Sequence, residues 1–305
     1  MIAAATFAGT VDEDFSNESF LQLYAVDVTR TEETGLPPLG RIPLPERVNR
    51  LDWSVHGGGE GVVAVALVSG EVQFYSVDAI LAGHVQGPLY SIKEHHVGVR
   101  ACQFNPAQTS LIAIGSDDGK WFVWSLPSGP SGAPQKVALI KNSAQETGVV
   151  HVQWHPKFPH IIATSTVGGV VSVWNLKNTS LVAKVGLSRY GNGAYANCVV
   201  WHPTVATIFA AGLNEVHSTI QLWDLKKASA PETELEGHVG GVTALDWGGP
   251  EDSMLVSCGA DGTTFLWESA TWKKMGELER QESVIDVRWC PQMETVLAAA
   301  SLTRC

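Results

Sequence analysis

Residues 95–124 read HHVGVRACQFNPAQTSLIAIGSDDGKWFVW, and the fold follows from this stretch. It divides into three apolar runs and two turns. Residues 99–104 (VRACQF) run into 105–110 (NPAQTS), 111–116 (LIAIGS) run into 117–120 (DDGK), and 121–124 (WFVW) close the set. Short runs rich in Val, Ile, Ala and aromatics, bounded by Pro, Gly, Asn and Asp, predict strands joined by tight turns.

The same text recurs along the chain. An aromatic ends an apolar run at Trp53, Phe104, Trp154, Trp201, Trp247 and Trp289, and a Pro follows all but the first within three residues. A second aromatic closes a later run at Tyr24, Tyr75, Trp124, Trp174, Trp223 and Trp267. Both ladders step by 42–51 residues and keep nearly constant phase. That spacing is close to the ~40–45 residues of a WD repeat. Runs such as 62–68 (VVAVALV) and 161–167 (IIATSTV) are apolar almost without break, as expected of strands buried on both faces. The expected fold is all-β: a seven-bladed WD-repeat β-propeller, with blades one and seven incomplete in this chain. The closing aromatics begin one unit earlier than the opening ones, which gives that count. The expected blades lie at 1–36, 47–80, 95–128, 148–178, 195–228, 238–271 and 282–305, within a single domain, 1–305.

Composition narrows the function. The chain has 305 residues and a formal net charge of -11, the opposite of the basic footprint of a nucleic-acid binder. Its five cysteines, at 102, 198, 258, 290 and 305, form no C-x-x-C pair, and three sit in apolar runs. That pattern points to a reducing compartment. The opening text, MIAAATFAGTVDED, has no basic n-region and makes a poor signal peptide.

Turn chemistry supplies candidate residues. The third unit offers His95, Ser116, Asp118 and Trp124. The sixth offers His238, Asp261 and Trp267, with Gly259 where a hydroxyl is expected. These resemble the WD-repeat structural tetrad, in which the Asp accepts from the His and the bonds continue through a Ser to the Trp indole N–H. A buried indole N–H and a buried carboxylate both need partners. The fourth unit has Gly168 at the Asp position and the second has Ser69 and Tyr75, so those blades are expected to rely on packing.

Other constellations read blandly. His151 and His155 on one strand would stand about 13 Å apart at ~3.3 Å per residue, too far to share a metal. Gly57–Gly61 lacks the Gly-Lys-Ser/Thr of a phosphate loop and reads as a flexible hairpin connection. No G-x-S-x-G elbow occurs. No catalytic residue, cofactor or metal is expected. The Pro/Gly/Ser-rich segment Ser125–Pro134 is a loop. The segment Asp12, Glu13, Asp14, Phe15 to Glu18 is a candidate partner-contact loop, since WD hairpins normally turn in a few residues.

The stretch 9–23 (GTVDEDFSNESFLQL) resembles the first blade of the large outer-cage subunit of the COPII coat, the Sec-thirty-one family of protein transport proteins. Val48–Ser54 (VNRLDWS), Leu222–Leu225 (LWDL) and Leu245–Trp247 (LDW) match that family in register. The resemblance implies a non-enzymatic scaffold: the N-terminal propeller of the outer coat, self-associating at cage vertices as vesicles bud from the endoplasmic reticulum toward the Golgi. It implies a place on the cytosolic face of exit sites, held to the membrane through the coat. It also implies partners reached through regions outside these residues: the smaller propeller protein Sec-thirteen, inner-coat Sec proteins and the Sar GTPase. Two other readings use the same fold. One is a WD-repeat adaptor, such as a substrate receptor or chromatin scaffold. The other is a WD-repeat ester hydrolase, which would need a convergent His and carboxylate.

Overall fold

A computed structural model describes all residues except 6–17, 27–36, 130–131, 141–146, 188–192, 279, 292 and 302–305. It divides into two compact units, Met1–Glu146 and Thr147–Cys305.

The first unit holds three antiparallel sheets. One contains β1 (Ile2–Ala5), β2 (Ser19–Tyr24) and β3 (Pro38–Leu44). The second contains β4 (Val48–Ser54), β5 (Val62–Leu67), β6 (Val72–Ser76) and β7 (Tyr90–Ile92). The third contains β8 (Val99–Phe104), β9 (Leu111–Ser116), β10 (Trp121–Ser125) and β11 (Gln135–Ile140). A short helix, α1 (Val77–Leu81), follows β6, with the Ser76 hydroxyl accepting from Ala79 N at 3.3 Å as its N-cap.

The second unit repeats the pattern. Its fourth sheet runs β12 (Val149–Trp154), β13 (Ile161–Thr166), β14 (Val170–Asn175), β15 (Ser180–Gly186). The fifth runs β16 (Ala196–Trp201), β17 (Ile208–Leu213), β18 (Ile220–Asp224), β19 (Thr233–Leu235). The sixth runs β20 (Val242–Gly248), β21 (Met254–Gly259), β22 (Thr264–Glu268), β23 (Lys274–Glu277). The seventh has β24 (Val284–Trp289) and β25 (Leu297–Ser301) among the described residues.

Every strand pairs antiparallel with its neighbour in sequence, so each sheet is a meander. Among the described residues the first sheet has three strands and the last two, as the offset between the aromatic ladders predicts. The outermost strand of each four-stranded sheet lies outside the three-strand pattern read in the sequence. These strands are short or half-exposed, and so lack the apolar density that marks the others.

Apolar runs are continuous where a strand is packed on both faces. In β5, Val63, Val65 and Leu67 join a core with Leu21, Leu23 and Ile42 of the first sheet. Ala64 and Ala66 join one with Phe104, Ile112 and Ile114 of the third. Alternate residues point to opposite faces, so a strand between two neighbours must be apolar throughout.

Each opening strand carries the same irregularity. β4, β8, β12, β16, β20 and β24 all shift register across their second residue. A bulge re-aims the side chain it carries. Asn49 Nδ2 thereby donates to Val99 O (3.0 Å), Asn197 Nδ2 to Val242 O (2.9 Å) and Thr243 Oγ1 to Val284 O (2.6 Å). Each of these bonds ties one sheet to the next.

Candidate functional site

Among the described residues, the sixth sheet has the most complete polar network. Trp267 Nε1 and His238 Nε2 both lie 2.9 Å from the Ser257 hydroxyl. His238 Nδ1 faces Asp261 Oδ1 at 3.4 Å and the Thr263 hydroxyl at 3.0 Å. Asp261 also accepts from Val239 N (2.7 Å), Thr263 N (3.0 Å) and Thr263 Oγ1 (2.6 Å). Burial lowers the His238 pKa against the pull of Asp261. Burial works to raise Asp261, but the Thr263 hydroxyl, the two backbone N–H groups and His238 together hold it down to about 2. The protons therefore run one way: indole to hydroxyl, hydroxyl to neutral imidazole, imidazole Nδ1–H to carboxylate.

The bridging hydroxyl is Ser257, which the sequence reading missed by looking two residues later, at Gly259. A Cβ at Gly259 would lie 2.6 Å from His238 Nδ1, so that position must be small.

The same displacement corrects the third sheet. His95 Nδ1 and Asp118 Oδ2 meet at 2.9 Å as expected of that pair. Ser116 does not bridge to Trp124; its hydroxyl lies within reach of Val97 O (3.1 Å) and Gly98 O (3.0 Å). The place equivalent to Ser257 is Ile114, which has no polar atom. His95 Nε2 and Trp124 Nε1 are left without hydrogen-bond partners.

The fourth and second blades, expected to rely on packing, and the first and fifth have their own solutions. Trp174 Nε1 donates to the Thr164 hydroxyl at 3.1 Å. Tyr75 donates to Gln73 Oε1 at 2.6 Å, and Gln73 Nε2 to Glu71 at 3.2 Å. Tyr24 donates to Gln22 at 2.8 Å, and Trp223 Nε1 to Gln221 at 3.2 Å. A Gln two residues before the closing aromatic lies on the same face and can accept its proton. Gln22-Leu23-Tyr24, Gln73-Phe74-Tyr75 and Gln221-Leu222-Trp223 carry this signal in plain sequence.

A second set of polar groups locks the turns after the opening strands. His155 Nδ1 accepts from Lys157 N (3.0 Å) and Phe158 N (3.1 Å), so Nε2 carries the proton that it donates to Ala206 O at 3.1 Å. His202 Nδ1 accepts from Thr204 N (3.2 Å) and Val205 N (3.1 Å). Asn105 Oδ1 does the same for Ala107 N (3.0 Å) and Gln108 N (2.9 Å). Ser54 accepts from His56 N (3.2 Å) and donates to Thr109 O (2.8 Å). Asp52 and Asp246 accept from the backbone of the next sheet, from Phe104 N at 2.5 Å and Trp289 N at 2.8 Å respectively.

Gly57–Gly61 is a turn ordered by such bonds: Trp53 Nε1 donates to Glu60 O at 2.8 Å, and the Asp78 carboxylate accepts from Glu60 N. No group of three His, Cys, Asp or Glu among the described residues could hold a metal ion. No helix among them is long and apolar enough to cross a membrane. Asp12, Glu13, Asp14 and Phe15 lie outside the described residues; Glu18, just before β2, is exposed.

The WD domain, G-beta repeat family matches residues 86–125 and 229–268. Over 99% of its length the chain is 31% identical to the protein transport protein SEC31 of Mycosarcoma maydis, and over 98% it is 31% identical to that of Coccidioides immitis. It is 28% identical over 98% to Sec31A of Danio rerio. This chain is a WD-repeat domain similar to SEC31 proteins. It spans about a quarter of the length of those relatives, 23% and 24% of the first two. A solved structure described as COPII on membranes, outer coat vertex, contains a chain that superposes on 98% of this domain with a TM-score of 0.82 and 24% identity; 78% of that chain is covered. The fold is thus that of an all-β WD propeller. In this domain, Leu51-Asp52-Trp53 and Leu245-Asp246-Trp247 are inter-sheet ties, since both aspartates bond to the neighbouring sheet.

Proposed function

We propose that residues 1–305 form one seven-bladed WD module, its first and last blades incomplete in this chain, through which a COPII outer-coat subunit scaffolds vesicle budding from the endoplasmic reticulum. The observation that carries the reading is its length. Similarity to SEC31 proteins and superposition on an outer-coat-vertex chain both run over 98% or more of these residues. The chemistry agrees with a non-enzymatic role. Burial lowers the pKa of His155, His202 and His238, each of which is engaged in hydrogen bonds, and Ser257 is wholly enclosed. Such a module works by presenting surfaces: weak contacts repeated over a lattice add up to reversible assembly.

In this reading copies of the module meet at cage vertices on the cytosolic face of the membrane. The rest of the full-length protein engages the smaller propeller subunit Sec-thirteen, the inner coat and the Sar GTPase. The test is a chimera. This chain replaces the matching segment of Danio rerio Sec31A in cells depleted of the endogenous protein, and export of a secretory cargo is followed. Rescue close to the parent rate is expected. A chimera that is made, folds and fails to join the coat overturns the proposal.

A further inference from the structure

From Thr147 to Asn214 the chain carries no Asp or Glu, while Lys157, Lys177, Lys184 and Arg189 fall within those 68 residues. At the chain-wide frequency of 31 acidic residues in 305, about seven would be expected there. The segment has a net charge of +4 and the remainder -15, in a chain of -11.

Part of this charge gathers at one end of the fourth and fifth sheets. The β12–β13 turn carries Lys157 and Phe158. Leu176 N donates to His160 O at 2.8 Å, which sets the β14–β15 connection and its Lys177 alongside. Lys157 Nζ donates to Thr204 O at 2.8 Å, bringing in the β16–β17 turn with Val205. Leu225 N donates to Thr207 O at 2.9 Å, which adds Lys226 and Lys227. All four lysines are exposed, as are Phe158 (45%) and Val205 (41%). Two carboxylates lie on the same connection as Lys226 and Lys227: Asp224, which accepts from Lys226 N at 3.0 Å, and the exposed Glu232, whose N donates to Leu222 O at 2.8 Å; Glu251 and Asp252 lie on the β20–β21 turn at the corresponding end of the sixth sheet.

Four lysines against the carboxylates of Asp224 and Glu232 leave a net positive surface beside an exposed aromatic, complementary to carboxylates that bracket an apolar side chain. The chain's own sequence contains such a segment: Asp12, Glu13, Asp14 and Glu18 surround Phe15. We propose that the basic end of the fourth and fifth sheets, centred on Phe158, receives the acidic segment Asp12–Glu18 of a second copy of this chain. The inference rests on the reading that copies meet at coat vertices. Donor and acceptor surfaces differ, so the contact is head-to-tail and can join more than two copies. Between exposed charges it is weak and sensitive to salt.

The experiment uses the full-length protein, with self-association followed by sedimentation velocity at about 0.05 and about 0.3 M salt. One variant combines Lys177→Glu, Lys226→Glu and Lys227→Glu, all at exposed positions. The other combines Asp12→Lys, Glu13→Lys and Asp14→Lys. Each alone is expected to weaken self-association about tenfold at the lower salt. Mixing the two, whose reversed surfaces are again complementary, is expected to restore it. Circular dichroism checks that both variants are folded. Unchanged association in either variant, or two weakened variants that fail to rescue each other, overturns the proposal. So does a lysine variant that loses only binding to phosphatidylserine vesicles, which would make the surface a membrane contact. Unchanged self-association beside a chimera that still enters the coat removes this inference and leaves the coat reading standing. Charge-dependent self-association in a protein that does not enter the coat does the reverse.

Discussion

The Trp267 indole donates to the Ser257 hydroxyl at 2.9 Å from a diagonal position across β21 and β22, since Trp267 pairs with Leu255 and Ser257 with Phe265. Diagonal neighbours are within reach of a long aromatic side chain. Ser257→Ala would orphan the buried indole N–H and His238 Nε2 together. Leaving one such group unpaired costs about 1–3 kcal/mol, so a loss of about 2 kcal/mol or more is expected from urea unfolding. A change below about 0.5 kcal/mol would mean the network adds nothing to stability.

In the third sheet the diagonal place belongs to Ile114, while Ile112 pairs directly with Trp124. Both isoleucines are fully buried. Ile114→Thr would supply a hydroxyl where His95 Nε2 and Trp124 Nε1 lack partners, and Ile112→Thr would not. Ile114→Thr is therefore expected to be less destabilising by about 1–2 kcal/mol. Equal melting temperatures for the two variants would refute the equivalence of positions 114 and 257.

Asp246 is half-buried, and desolvation pushes its carboxyl up against the opposing pull of Arg288 and the Trp289 N–H. Asn keeps the acceptor and carries no charge, so Asp246→Asn is expected to leave stability at pH 7 unchanged or raised. Asp246→Ala orphans the Trp289 N–H and is expected to cost about 1–3 kcal/mol. Chemical denaturation of both variants decides the point.

His155, His202 and His238 all have pKa values lowered by burial, so the fold holds their neutral forms. Their contribution is fully present above the roughly 6.5 of a free histidine and is lost as pH falls below it. Asp261, depressed to about 2, contributes above the ordinary carboxylate range and loses that only as pH falls from about 4 toward 2. Between pH 7.5 and pH 5 the histidines therefore set the slope, and the urea midpoint is expected to drop across that window. The double variant His155→Asn and His202→Asn, using the residue that caps the same turn at Asn105, is expected to flatten it. A slope unaltered by the double variant would place the titration elsewhere.

Cys102, Cys198 and Cys258 are buried. Burial pushes the Cys102 thiol up, and the Cys258 thiol up to about 12. Thiolate is the reactive form, so iodoacetamide is expected to spare these three in the native protein and, among the four described cysteines, to label the half-exposed Cys290 first. Peptide mapping after brief labelling, with and without urea, reads this directly.

The inner strands are legible residue by residue. The runs at 99–104 and 111–116 are β8 and β9 with identical bounds, because each is mainly apolar and stops at a turn residue. The outer strands are not legible in this way. In Ser180–Gly186, Leu181 and Val182 are exposed and alternation is lost, so nothing local separates strand from loop. The candidate site was half legible. His238, Asp261 and Trp267 announce themselves by type and spacing, but the hydroxyl that joins them does not, because Ser257 and Gly259 lie on the same face and only one is within reach of the indole.

The sequence by itself determined the repeat, its period, the turn glycines and the all-β class, since these follow from hydrophobic spacing and turn chemistry within a few residues of one another. Where no Gln precedes the closing aromatic by two residues, tertiary structure decided what receives the buried proton: Trp174 takes Thr164 and Trp124 takes none, although both occupy the same place in the repeat. It also decided that Asn49, Asn197 and Thr243 tie one sheet to the next. That depends on a bulge at the second residue of each opening strand, and a bulge is a property of how two strands pair, which neither strand's own sequence contains.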